Sequence, residues 1–446
     1  MNELSLLLCL LAMTVVAFLP IRLLGRFSWY DVGFLVTMTL AVIYLFASPT
    51  AALFGNSLEK VSSRSGNYVL FQFFALVLFI FPFTFIYAAV ARRHLSVRPV
   101  PVRAFSSTPV LVLIAASVVL RFLIATRYGL WRLRIGETVA DRVVAAPFVL
   151  FSIFRALSEI QFPLIALGLF LVLRERRVRT RRVGFVIVAA HVGECLLFAV
   201  LNSRFAVLYL LIALVIGVFQ NSQPEDLLSP RILRRAYLGI VVAYVLGLGV
   251  LTLRSGRSRG GLNVIGDSQG LNRFNCADLI AQTNVTSFQA SPKPAIWDGY
   301  AWTFRRFLDP AGFDRFRLSL QTTAKSQISA RFLNVRHVDY YSCVATDAVG
   351  GLGVPGFLVL ALVLGFALGT VSRILRRGTP VALALAAVLL FHVSTFDQEF
   401  GSVVFSWPLK IPGLALIIGA AWMCDRGQDS ARAFENAAPA ISAVSI

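Results

Sequence analysis

The sequence predicts an all-α, polytopic integral membrane protein with about eleven transmembrane helices and one large extracytoplasmic loop. Three observations carry that expectation. Of the 446 residues, 57% are hydrophobic and only 14% are charged. Apolar runs of roughly 18 to 25 residues, enough to cross a hydrocarbon core as a helix, recur along the chain. A single long polar stretch, residues 254–349, interrupts them.

The expected spans are 4–21, 32–54, 68–91, 108–126, 146–173, 183–201, 205–219, 237–253, 350–371, 381–396 and 403–423. They divide the chain into eight helices within 1–253, a loop at 254–349, three helices within 350–423 and a tail at 424–446. The first span is preceded by Asn2 and Glu3 rather than a basic stretch. It ends Leu19-Pro20-Ile21 with no small-residue cleavage site, so it reads as retained.

Orientation follows from Lys and Arg in the short connections. Arg92, Arg93, Arg98 and Arg103, the run from Arg174 to Arg182, the group Arg231, Arg234 and Arg235, and the group Arg373, Arg376 and Arg377 fall in alternate loops. Those loops share one side, which the positive-inside rule makes the cytoplasm of a bacterial inner (plasma) membrane protein. The amino terminus and the loop 254–349 are then outside, and the carboxyl terminus is cytoplasmic.

The net charge of +20 is mostly this topological arginine, which meets anionic headgroups, so a nucleic-acid partner is not indicated. The long loop differs, holding ten arginines, Lys293 and Lys325 against seven aspartates. Cations on the translocated side are not needed for orientation, although long loops cross regardless of charge. The loop is therefore read either as an anion-binding surface or as an ordinary solvated loop. Cys276 and Cys343 share it, and whether they form a disulfide is not settled by sequence. No CxxC, HExxH, Walker A or dinucleotide glycine motif occurs, and the four histidines are scattered. Neither a metal nor a nucleotide cofactor is expected.

Depth gives a second set of candidates. Arg121, Arg155, Glu159, His191 and Glu194 lie within expected spans, towards the outer half, as do His392 and Lys410. Ionisable groups in lipid are costly and face a bundle interior, so the bias predicts a polar cavity open to the outside. Arg155 and Glu159, four residues apart, share a helix face and are equally well read as neutralising each other.

Asn202-Ser203-Arg204 is all that joins the sixth and seventh spans. Arg204 is thus either an interfacial anchor or a fixed guanidinium fork for a phosphate. Arg254, Arg257 and Arg259 follow the eighth span in a glycine-rich stretch that suits a diphosphate or lipid headgroups. Trp297, Tyr300, Trp302, Phe304 and Phe307 are interleaved with Arg305 and Arg306. That composition serves a sugar-stacking surface or an amphipathic helix on the membrane. Finally, His337-Val-Asp339-Tyr-Tyr341 precedes Asp347-x-x-Gly350-x-x-Gly353, whose glycines are expected to open the ninth span and to allow close helix packing.

The Ser203-Arg204 hairpin, the outer loop entered through arginines, the His337 to Tyr341 stretch and the Asp347-x-x-Gly350-x-x-Gly353 entry resemble the O-antigen and exopolysaccharide repeat-unit polymerases, relatives of the O-antigen ligases. The likeness covers roughly residues 183 to 370 and rests on short motifs. It implies a metal-independent membrane glycosyltransferase acting on a polyprenyl-diphosphate-linked oligosaccharide in the lipid bilayer, with chain-length regulators or export proteins as partners. Under that resemblance Arg204, Arg254, Arg257 and Arg273 hold the diphosphate, Trp297, Trp302 and Arg305 hold sugar, and Asp278 or His337 is the base. Asp397 and Glu399 stand in reserve. A ligase-type transferase, a lipid-linked oligosaccharide transporter or flippase, and a non-catalytic assembly subunit are the competing readings.

The charge asymmetry has a direct test. A cysteine at Ser291 should react with an impermeant thiol reagent in intact cells or spheroplasts, and labelling only after permeabilisation would reverse the topology.

Overall fold

The computed structural model describes residues 3–25, 27, 29–47, 49, 66–92, 105–128, 148–202, 205–220, 277–289, 343–393 and 411–425. Among them the chain is all-helical. Five helices are long and apolar enough to cross a membrane: Glu3–Leu24, Asn67–Arg92, Thr108–Arg127, Ala156–Arg174 and Pro355–Leu375. Shorter apolar helices cover Val32–Leu45, Tyr209–Val218, Pro380–Phe391 and Ile411–Asp425. The expected span at 237–253 lies outside the described residues. The expected sixth span falls within the longer helix Val178–Asn202.

The chain divides into two compact units. The first comprises Met1–Leu95, Leu251–Ser372 and His392–Pro408. It begins with α1 (Glu3–Leu24) and α2 (Val32–Leu45). Next, α3 (Gly66–Phe74) runs through a π-helical stretch, Ala75–Ile80, into α4 (Phe81–Arg92). The π register has a local cause. Phe81 N–H reaches back five residues to the Leu76 carbonyl, and the next residue, Pro82, has no N–H to continue an α ladder. Phe34 stacks on Phe83 and Tyr87 with ring centroids 5.4 and 4.4 Å apart, and Phe79 stacks on Phe83 at 5.6 Å. At the start of α2 the buried Asp31 does not cap its own helix; its carboxylate accepts hydrogen bonds from Tyr87 on α4 and from Ser372.

Two further helices of this unit come from around the long polar stretch. One, α9 (Ala277–Gln289), packs on α2, α3 and α10 (Val344–Leu352). It buries polar residues: Asn284 Nδ2 donates to the Tyr44 carbonyl at 2.9 Å, and Thr346 Oγ1 donates to Asn284 Oδ1 at 2.6 Å. Cys343 Sγ lies 3.2 Å from Thr346 Oγ1, while Cys276 falls outside the described residues. The glycines of the Asp347-x-x-Gly350-x-x-Gly353 motif therefore do something other than open a span. Gly350 lies within α10, and Gly353 ends it at φ 70, a left-handed conformation that only glycine adopts freely. The span restarts as α11 (Pro355–Leu375). Along α11 the close-packing expectation holds, because a Cβ on Gly365 would sit 3.0 Å from the Phe83 carbonyl and one on Gly369 2.7 Å from Val90 Cβ.

The second unit comprises Ser96–Val250, Arg373–Phe391 and Leu409–Ile446. Its hub is α6 (Phe148–Arg174), which packs against α5 (Thr108–Arg127), α7 (Val178–Asn202) and α8 (Phe205–Phe219). From Phe162 to Val172 it is apolar on every side apart from Pro163 and Gly168, the pattern of a helix surrounded by others. Gly217 brings α8 against Ala166, where a Cβ would lie 2.8 Å from the carbonyl oxygen. Gly413 does the same for α13 (Ile411–Asp425) against Ala156, at 2.6 Å.

Helix ends in this unit leave carbonyls without intrahelical partners, and side chains supply them. The Arg174 guanidinium donates to the Gln220 and Gly378 carbonyls, each at 3.4 Å, and lies 4.4 Å over the Phe170 ring. Gln220 Nε2 donates in turn to the Leu375 carbonyl at the end of α11. Gly378, at φ 64, makes the turn into α12 (Pro380–Val393).

Close approach at Gly356 supplies a test. A Cβ there would collide with the Ala348 carbonyl, which is backbone and cannot rotate away, whereas Gly419 has nothing within 4 Å. Gly356→Ala should destabilise the detergent-solubilised protein by about 1–3 kcal/mol. Gly419→Ala, at an open helical site, should be neutral or stabilising by up to about 1 kcal/mol. Equal unfolding midpoints for the two variants would remove the contact from the account of the fold.

Candidate functional site

The strongest concentration of buried polar chemistry among the described residues lies inside the second unit. Arg121 comes from α5, Gln161 from the middle of α6, and His191, Glu194 and Cys195 from α7. Helical spacing explains the α7 set, since positions three and four apart lie on one face. Arg121 is 2% exposed, His191 0% and Glu194 7%.

Each polar group is answered by another. Arg121 Nη1 donates to Gln161 Oε1 at 2.5 Å, and its Nε lies 3.1 Å from Glu194 Oε1. The latter contact is an ion pair by distance, but its N–H direction does not make a linear hydrogen bond, so its attraction is mainly coulombic. The guanidinium also lies 5.7 Å from the Phe154 ring centroid. His191 Nδ1 is 3.0 Å from Glu194 Oε2, and Nε2 is 3.2 Å from the Gln161 backbone carbonyl. Cys195 Sγ reaches Gln161 Oε1 at 3.7 Å.

Gln161 sits two residues before Pro163, which interrupts the α6 ladder because it has no N–H. It is the common acceptor: its side chain serves Arg121 and Cys195 while its main chain serves His191. His191, Glu194 and Cys195 also bring three metal-ligand atom types within 4.8 Å of one another. The Arg121 guanidinium occupies the same carboxylate, and a cation placed there would be repelled by it. The set is therefore built as a hydrogen-bonded ion cluster rather than as a metal centre.

This arrangement refines the depth-based expectation. Arg121, His191 and Glu194 do face the helix interior together. Among the described residues they meet one another at hydrogen-bond and ion-pair distance, because at this depth each charge gains from a neighbouring side chain. Lys410 and the side chain of His392 lie outside the described residues. Glu159 is only half-buried, and the side chain of Arg155 lies outside the described residues. Sequence reasoning missed Gln161 and Cys195. The one available hint was helical spacing, which puts Cys195 four positions from His191.

Of the residues assigned to glycosyl transfer, Asp278 lies in the first turn of α9, with its side chain outside the described residues. His337, Arg204, Arg254, Arg257, Arg273, Trp297, Trp302 and Arg305 lie wholly outside them, as do Asp397 and Glu399. Only residues 203 and 204 separate α7 from α8, and the two helices pack against each other.

Compared with known proteins, the chain matches no family model, no curated protein and no solved structure.

The ion cluster makes an asymmetric energetic prediction. Glu194→Leu removes the carboxylate facing the buried Arg121 and should cost about 3–5 kcal/mol. The double variant Arg121→Met/Glu194→Leu removes the charge as well and should recover most of that loss. Unfolding of purified protein by denaturing detergent measures both; a double variant as unstable as the sum of its parts would mean that the two side chains do not act as a pair.

Proposed function

We propose that the protein is a membrane glycosyltransferase that polymerises polyprenyl-diphosphate-linked oligosaccharide repeat units into a surface polysaccharide. The observation carrying this reading is the arginine-rich polar stretch 254–349 set within a membrane-helical chain and preceded by the Ser203-Arg204 hairpin. The proposed setting is a bacterial inner membrane, crossed about eleven times, with the amino terminus and that stretch outside.

In the proposed reaction the bond between the anomeric carbon of the growing glycan and its diphosphate oxygen breaks. A hydroxyl of the incoming lipid-linked unit forms the new glycosidic bond, and its proton passes to a base, Asp278 or His337. Departure of a diphosphate requires positive charge where the leaving oxygens develop theirs, and preorganised guanidinium groups supply it without a metal. Arg204, Arg254, Arg257 and Arg273 fill that role, while Trp297, Trp302 and Arg305 offer ring faces and donors to sugar. Ser203 and Arg204 are all that join α7 to α8, and it is this short connection that puts Arg204 first among the candidates.

A transporter of the same lipid-linked substrate is the second reading, and the buried Arg121–Glu194–His191 cluster favours it. Intramembrane ion networks of this kind mark ion-coupled pathways. Reconstitution separates the two, because a polymerase lengthens a lipid-linked repeat unit in sealed vesicles whereas a transporter moves it unchanged across the bilayer.

Arg204 tests the donor site. Arg204→Ala should reduce polymer yield on the order of 100-fold or more with normal membrane insertion. Arg204→Lys, which keeps the charge but loses the planar fork, should retain partial activity. Wild-type polymer lengths from a well-expressed Arg204→Ala protein would make the residue an interfacial anchor.

A further inference from the structure

The hydrogen-bond directions around His191 count protons. Nε2 lies 3.2 Å from the Gln161 main-chain carbonyl, which can only accept, so Nε2 carries a hydrogen. Nδ1 lies 3.0 Å from Glu194 Oε2. A neutral ring with its hydrogen on Nε2 would then point the Nδ1 lone pair at an ionised carboxylate. The ring is 0% exposed, so bulk solvent does not screen that repulsion. The other neutral tautomer repairs this contact and breaks the first, because its Nε2 lone pair would face the carbonyl oxygen.

One additional hydrogen between Nδ1 and Oε2 satisfies both ends. It resides on the ring, giving imidazolium and carboxylate, or on the carboxyl, which then donates to a neutral ring. Either way the same proton is counted once.

We infer that the His191–Glu194 pair binds one proton in the interior of the second unit, so that these two side chains and Arg121 together carry a single positive charge. The net positive charge faces the two oxygens of Gln161 and the ring of Phe154 rather than a second carboxylate. Among the described residues, Arg121 from α5 and Cys195 from α7, whose thiol reaches Gln161, face the pair. From α6 the pair meets the backbone carbonyl of Gln161, whose side-chain oxygen accepts from Arg121. No charged residue occurs in α8, in α12 before His392 or in α13 before Asp425. Loss of the proton would discharge the cluster and set the Nδ1 lone pair against the carboxylate. The cluster is thus a proton-binding site with two occupancy states that differ in buried charge. This inference does not depend on glycosyl transfer.

Full-length protein with His94, His337 and His392 replaced by Gln retains His191 as its one histidine. Labelled with nitrogen-15 at histidine and examined near neutral pH by solid-state NMR, it should show hydrogen on both ring nitrogens. Alternatively, it should show hydrogen on Nε2 alone, together with a carboxylic-acid infrared band that disappears in Glu194→Gln. Each of these patterns supports the bound proton and says which atom holds it. A neutral ring with no acid band, or a neutral ring with hydrogen only on Nδ1, would overturn the inference. If the triple substitution prevents folding, the difference between labelled wild type and His191→Gln supplies the same ring signals.

Discussion

A charge inside an apolar helical bundle has to be answered within a few ångströms, because the medium screens little and water is absent. Among the described residues of the second unit that requirement is met at Arg121 and Glu194, and it ties three helices together. The guanidinium comes from α5, the carboxylate from α7, and the amide oxygen that accepts from the guanidinium's Nη1 from α6. Sliding any of these helices by one turn, about 5.4 Å, would strand an ion in the interior. A pair of this kind adds little net stability compared with packed hydrophobic side chains. It penalises every other register strongly, and so specifies one alignment among many that apolar packing alone would tolerate.

The first unit reaches specificity by different means. Its buried polar contacts are mostly between neutral groups, such as Asn284 with Thr346 and Ser5 with Gln72, or place a single carboxylate, Asp31, between two hydroxyls. Glycine supplies the rest, letting α11 approach α4 to backbone distance at Gly365 and Gly369. Asn284 ties α9 to α2 and α10, and Gly356 seats α11 against Ala348 of α10.

The difference between the two units explains which parts of the site were legible beforehand. Arg121, His191 and Glu194 stood out because an ionisable residue in an apolar run is costly and must be compensated. Gln161 carried no such mark, since a lone glutamine in a span reads as tolerated polarity, and only its neighbours reveal that it receives three donors. The helix α9 was hidden for a related reason. It buries Thr283, Asn284 and Ser287, so its pattern resembles a solvated loop until the partners on α2 and α10 are in view. Gly350 and Gly353 were legible as small residues but not as a helix interior and a left-handed stop, because that distinction depends on where the chain turns. The arginines and aromatics assigned to the donor, like His337, lie outside the described residues, so their reading stays a matter of residue chemistry.

Composition by itself determined that this chain is helical and suited to a membrane: long apolar runs bury their backbone polar groups only by satisfying them within each segment. Spacing determined which residues share a helix face, because 3.6 residues make a turn regardless of what lies opposite. Only the tertiary structure decided which faces meet. Arg121 and Gln161 are 40 positions apart, and Asn284 and Tyr44 are 240 apart. No periodicity within one helix encodes the register of another, which is settled by the joint requirement that every buried charge, amide and carbonyl find its partner at once.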